Sequence, residues 1–170
     1  ILAQALLHQR RFDQLFKEVH PGNLSPPVEA EIRLQLGLAH LQLGEFAEAE
    51  PLLRDAENLA PRAAAPMLGV AELLVVKKDL KGASEKANAA LAIQPKNVDA
   101  LRLSGEILRL QGNLDGALDR FNEVLKSNPN NLATLVSRAN LLIAKNDVEG
   151  AKKDVARMTA LAPKNPYGLY

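Results

Sequence analysis

The sequence predicts an all-α protein, a solenoid of stacked antiparallel helix pairs, and three observations predict it. Prolines stand at 61, 95, 129 and 163, each 34 residues after the last. A column of alanines keeps the same step at Ala49, Ala83, Ala117 and Ala151, and a column of small residues keeps it at Gly37, Ala71, Gly105 and Ala139. The composition is 47% hydrophobic but only 4% aromatic, without Trp or Cys. Apolar mass therefore rests on Ala, Leu and Val, which suits helices packed closely on one another. A fixed step of this length marks a repeat array.

Taken in order, residues 1–29 form a partial, degenerate unit with fragmentary helices at 1–9 and 12–20. Four units follow at 30–63, 64–97, 98–131 and 132–165, and residues 166–170 read as the start of a further one. Pro27 lies 34 before Pro61, yet "SPPVEAE" reads as a helix start, with Ser25 able to cap and proline tolerated in the first turn. Helices are expected near 30–43 and 46–59, 64–77 and 80–93, 98–111 and 114–127, and 132–145 and 148–161. In the 98–131 unit, Leu101, Gly105 and Leu108 share one face, while Leu114, Ala117, Leu118, Phe121 and Leu125 share a face of the next helix. Gly112-Asn113 tolerates the left-handed backbone that ends a helix, as do Gly44-Glu45 and Asn146-Asp147 at the same offset. Lys78-Asp79 reads as a weaker turn. Each proline then blocks continuation of the second helix. The ends, "ILAQALLHQ" without Met and "NPYGLY", read as cuts from something longer.

Little in the chain invites chemistry. Net charge is +1, with six Lys/Arg against nine Asp/Glu in residues 1–62 and fifteen against eleven thereafter, so neither nucleic acid nor an anionic membrane is indicated. Lack of Cys removes disulfides, thiolate metal sites and cysteine nucleophiles. No apolar run approaches the roughly 20 residues of a membrane span. His8, His20 and His40 sit on different elements without a second ligand at helical spacing, so structural roles are expected and no metal. No phosphate-loop, dinucleotide or G-x-S-x-G pattern occurs, and no cofactor is expected. The segment reads as non-enzymatic.

The period and its columns resemble the tetratricopeptide repeat. The 98–131 unit matches that pattern as Leu101, Ser104, Gly105, Leu108, Ala117, Phe121 and Pro129. Departures lie in the bulky columns, at Arg33, His40, Ala87, Ser104 and Arg138, while the small columns hold. The resemblance implies a right-handed superhelix whose first helices line a concave groove for a protein or peptide partner. Mapped onto this sequence, groove positions are Glu31, Leu34, Leu38 and Leu41; Ala65, Leu68, Glu72 and Val75; Asp99, Arg102, Glu106 and Arg109; and Ala133, Val136, Asn140 and Ile143. Leu34 and Leu38 are read either as groove floor or as leucines buried by neighbouring helices or by a missing part of the array. Arg102 and Arg109 share a face that offers a carboxylate two guanidinium groups, unless Glu106 between them neutralises both. The clamp with which chaperone-binding relatives hold a C-terminal carboxylate is not reproduced beyond Asn140.

Three segments, "LGLAHLQLGEFAEAEPLLRDAENLAP", "LSGEILRLQGNLDGALDRFNEVLKSNPNN" and "ANLLIAKNDVEGAKKDVARMTALAPKNPYGLY", are also similar to the repeat lipoproteins associated with PEP-CTERM/exosortase systems. That similarity implies a bacterial scaffold for exopolysaccharide production or protein sorting, periplasmic or anchored to the outer membrane of a Gram-negative cell. The expected function is a non-catalytic interaction scaffold holding a partner peptide or helix. The alternative is an accessory region of a larger enzyme whose catalytic domain lies elsewhere. Self-association through exposed terminal helices is a further expectation.

Overall fold

In the computed structural model, residues 2–22 and 24–161 are described, and every regular element among them is a helix. The helices are α1 (Leu2–His8), α2 (Phe12–Glu18), α3 (Pro26–Leu43), α4 (Phe46–Leu59), α5 (Ala64–Val76), α6 (Leu80–Ile93), α7 (Val98–Leu110), α8 (Leu114–Ser127), α9 (Leu132–Ala144) and α10 (Val148–Leu161). Pro163 and the further repeat expected at 166–170 lie outside the described residues.

The turn inside each hairpin repeats in atomic detail. Arg10, Gly44, Lys78, Gly112 and Asn146, each 34 residues apart, have φ of 55°, 79°, 63°, 83° and 62°. The N–H of the following residue (Arg11, Glu45, Asp79, Asn113, Asp147) donates to the carbonyl five residues back at 2.8–2.9 Å, closing the helix end. In three hairpins that residue also opens the next helix. Oδ1 of Asp79, Asn113 and Asp147 accepts from the N–H of Gly82, Gly116 and Gly150 at 2.9–3.0 Å. Glu45 makes no such cap; its carboxylate meets Nδ1 of His40 at 2.6 Å.

Successive hairpins are joined by four-residue turns with Pro61, Pro95 and Pro129 in second place. Ala63, Asn97 and Asn131 donate back to Ala60, Gln94 and Asn128 at 3.0–3.1 Å. Asn97 and Asn131 then cap α7 and α9 by accepting from Ala100 and Thr134 at 2.9 Å. Proline therefore ends one helix and shapes the turn into the next.

Three local expectations need correction. Lys78 is no weaker a turn than its neighbours: it adopts the same left-handed backbone, because the closing hydrogen bonds demand it whatever the side chain. The third helix starts at Pro26, a turn earlier than 30. Ser25 supplies its backbone carbonyl to Val28 and Glu29, but its side chain makes no cap bond. The extra turn is held by Glu29 instead, which accepts from the N–H groups of Gly22 (2.6 Å) and Leu24 (3.4 Å) and pairs with Arg33. Burial alone raises the Glu29 pKa, but the Gly22 N–H, Arg33 and the Leu24 N–H outweigh it and hold the carboxyl below its ordinary value.

The chain divides into two units, Ile1–Ala100 and Leu101–Tyr170. In the first, α3 packs on α4 and α5 on α6 as hairpins, and the first helices neighbour one another, α1 with α3 and α3 with α5. One core joins Leu6, Leu7, Leu15, Leu36 and Ala39; the next joins Leu34, Ala49, Leu53, Ala56, Val70 and Leu73. Glu50 of α4 reaches Lys77 at 2.7 Å and Arg54 at 2.9 Å, and these two partners lower its pKa. In the second unit α8 packs on α9 and α9 on α10, around Ala117, Phe121 and Leu141 with Leu108 beside them. A Cβ on Gly105 would stand 2.5 Å from Cε1 of Phe121, so the small column makes room for a ring from the second helix.

Candidate functional site

Two of the histidines make local contacts. His40 stacks on Phe16 with ring centroids 4.4 Å apart, and His20 contacts the Lys17 carbonyl. Among the described residues, no three His, Asp or Glu side chains gather as metal ligands, and no helix is long and apolar enough to cross a membrane.

The bulky-column departure Arg138 forms the most developed polar cluster. Its Nε and Nη2 reach Asp154 at 2.8 and 2.5 Å, and its Nη1 reaches Asn122 at 2.7 Å. Asp154 is buried, so this fork replaces the apolar contact that Leu36 and Leu52 supply in the same columns of the 30–63 unit. The pairing was not anticipated from sequence, though an Arg in an apolar column with an Asp sixteen residues on, the offset that joins Gly105 to Phe121, is a usable signal. A shallow cavity of about 240 Å³ beside it is lined by Leu118, Asn122, Leu142 and Lys153, and its guanidinium is already occupied.

The groove positions mapped from the repeat fall into two groups. In the Ile1–Ala100 unit, Leu34 is 3% exposed and Leu68 7%, so both are core and offer a partner no surface. Leu34 packs with Leu53 and Leu73, and one of its methyls would meet a Cβ on Gly69 at 2.6 Å. Leu38, Leu41, Glu72 and Val75 are half-buried; Leu38 packs against both cores of that unit.

In the Leu101–Tyr170 unit the same columns are exposed on α9, the last first helix among the described residues. Val136 is 48% exposed and Ile143 59%, with Asn140 exposed between them on the same stripe of α9. On α7, Arg102 and Glu106 are half-buried and Arg109 is exposed. Glu106 does not neutralise both arginines: its Oε2 takes Nε of Arg109 at 2.9 Å, while Arg102 has no ion-pair partner among the described residues. The arrangement offers apolar and hydrogen-bonding contacts and, at Arg102, a cation without an ion pair among the described residues.

Two family models described as tetratricopeptide repeat match the sequence, one over residues 34–98 and 79–131 and the other over 108–169. No curated protein matches it. Among solved structures, a thermophilic TPR protein of Thermus thermophilus aligns at 20% identity with a TM-score of 0.85, covering 96% of this chain and 90% of that one. Pseudomonas aeruginosa pilF aligns at 24% identity and TM-score 0.72 over 81% of this chain; the alignment spans 63% of that protein. MamA of Desulfovibrio magneticus RS-1 aligns at 16% identity and TM-score 0.66, covering 97% and 93%. At such identities the likeness is one of fold. One family model alone covers more than half of the sequence, and the chain belongs to the tetratricopeptide repeat family.

Proposed function

We propose that this chain is a non-catalytic scaffold that binds a partner peptide or helix on the exposed faces of its first helices. Membership of a family whose proteins mediate protein–protein interaction supports the general role. The observation that carries the location is the open stripe Val136, Asn140, Ile143 on α9, aliphatic side chains left in water on a helix whose other face, with Leu135, Ala139 and Leu142, is buried. Within the Ile1–Ala100 unit the corresponding positions are half-buried Leu38, Leu41, Glu72 and Val75, and within the Leu101–Tyr170 unit Arg102, Glu106 and Arg109 carry the charge.

The test places a photo-crosslinking amino acid at Leu41 or Val136 on first helices and at Lys81 or Glu123 on second helices, in the cell of origin. Adducts concentrated at the first-helix positions support the reading; equal or greater yield from the second helices contradicts it. The finer setting, an envelope assembly for exopolysaccharide production or protein sorting, rests on the resemblance of the three quoted segments; the family models and solved structures support the repeat fold and go no further.

A second reading has its own observation. Val155 on α10 is 47% exposed, whereas Leu53, Ala87 and Phe121 in the same column are buried. With exposed Val148, seven residues before it on the same stripe, it leaves an apolar strip that favours self-association. Light scattering should then show concentration-dependent mass that Val155→Lys abolishes; a constant monomer mass removes this reading.

A further inference from the structure

We infer that the Arg138–Asp154 fork, within the Leu101–Tyr170 unit, fixes which second helix α9 takes and in what register. Apolar packing does less of this in the α9–α10 hairpin than in the one before it. Where α7 meets α8, the buried ring of Phe121 lies over Gly105, a fit of large into small. In the same columns α9 and α10 hold Ala139 and Val155, a smaller step in size. The residues of α10 that lie buried are Ala151 and Asp154. Ala151 stands in the column of Ala117, so its methyl does not tell the two second helices apart. Asp154 does.

Nε and Nη2 of Arg138 meet Asp154 as two parallel donors, which sets the orientation of the carboxylate as well as its distance, and Nη1 reaches Asn122 of α8. Helix α9 packs on both α8 and α10, so two second helices are within its reach. The column of Asp154 holds Arg120 on α8, and the column of Arg138 holds Ser104 on α7. Exchanging the two second helices sets Arg138 opposite Arg120. It also leaves the Asp154 carboxylate opposite buried Ser104 without a cation. Both pairings are costly, one through like charges and the other through an uncompensated buried charge. Sliding α10 by one turn brings Gly150 or Met158 to the guanidinium, and neither carries a charge. Leu36 and Leu52, which stand in these columns in the 30–63 unit, fill the same space and impose none of these penalties. Taking both charges out of water offsets most of their attraction, so the fork contributes correct pairing rather than stability.

The experiment is heteronuclear NMR on the full chain after refolding from urea, with the backbone amides of α9 and α10 as the readout. Arg138→Leu with Asp154→Leu is expected to keep the parent's helicity and a thermal midpoint at or above the parent's. Its α9 and α10 amides should nevertheless split into more than one set, the second reaching about a tenth of the first or more. Arg138→Asp with Asp154→Arg restores opposite charges and should return a single set. Arg138→Leu alone strands the carboxylate and should lower the midpoint. A leucine pair that gives one sharp set, with the parent's contacts between α9 and α10, overturns the inference. So does loss of its fold, which would make the fork a source of stability, and so does an exchanged pair that splits as the leucine pair does. An unchanged midpoint in the single variant also overturns it, because Asp154 would then need no cation.

Discussion

At Gly105, two opposing effects of one methyl group can be weighed. Alanine gains roughly 1 kcal/mol over glycine in a helix interior. Here its Cβ would meet Cε1 of Phe121 at 2.5 Å, and the ring is fully buried against Ala117 and Leu141, so it has nowhere to retreat. Overpacking of this kind costs about 1–3 kcal/mol and wins. Gly105→Ala is expected to lower the urea midpoint, and Gly105→Ala with Phe121→Leu to lose less than the two single changes together; strict additivity would refute the contact. Where the column holds Ala71, the residue sixteen later is Ala87, so small opposes small. Glu29 gives a second test. Its folded pKa is lowered, so its contribution is fully present above the ordinary carboxyl value and is lost as pH falls through the folded one. Glu29→Gln should flatten the drop in thermal midpoint between pH 6 and pH 3, and an unchanged slope would show that the Gly22–Glu29 tie is immaterial.

The elements were largely legible because their ends are written in local chemistry. Gly44 and Gly112 close helices, and Pro61, Pro95 and Pro129 shape turns, so most helix limits follow from single residues. Where the signal is tertiary or backbone in origin, reading fails. Lys78 looks unlike a left-handed residue yet is one, and the start of α3 depends on Glu29 reaching back to Gly22. Because Lys78 bears a φ of 63° that glycine adopts without steric cost, Lys78→Gly is expected to change stability little, or to raise it by up to about 1 kcal/mol in chemical denaturation. A loss near that size would mean its side chain does more than sit in the turn. Inside α4, Pro51 deprives Ala47 of its helical partner. It is exposed, so Pro51→Ala should stabilise by about 1–3 kcal/mol, and destabilisation would reveal a shape that α4 needs.

Across the whole molecule, hairpins alike in their turns differ in what they leave open. Leu34 and Leu68 were indistinguishable in sequence from true surface positions, since exposure of a first-helix residue depends on which neighbour reaches it. The column told where a side chain stands along the repeat; only packing told whether water reaches it. Val136 and Ile143 stand exposed on α9, the last first helix among the described residues, for that reason, and the Arg138–Asp154 fork shows the reverse, a charged pair in a place that elsewhere holds leucines. The central claim beneath all of this is that no hairpin buries its apolar face alone, so each is held by its neighbours. Circular dichroism on the single hairpin 64–97 and the double hairpin 30–97 measures it most directly. The account predicts weak helicity without a transition for the single hairpin and a cooperative thermal transition for the double one; a single hairpin that melts cooperatively at the temperature of the double would contradict it.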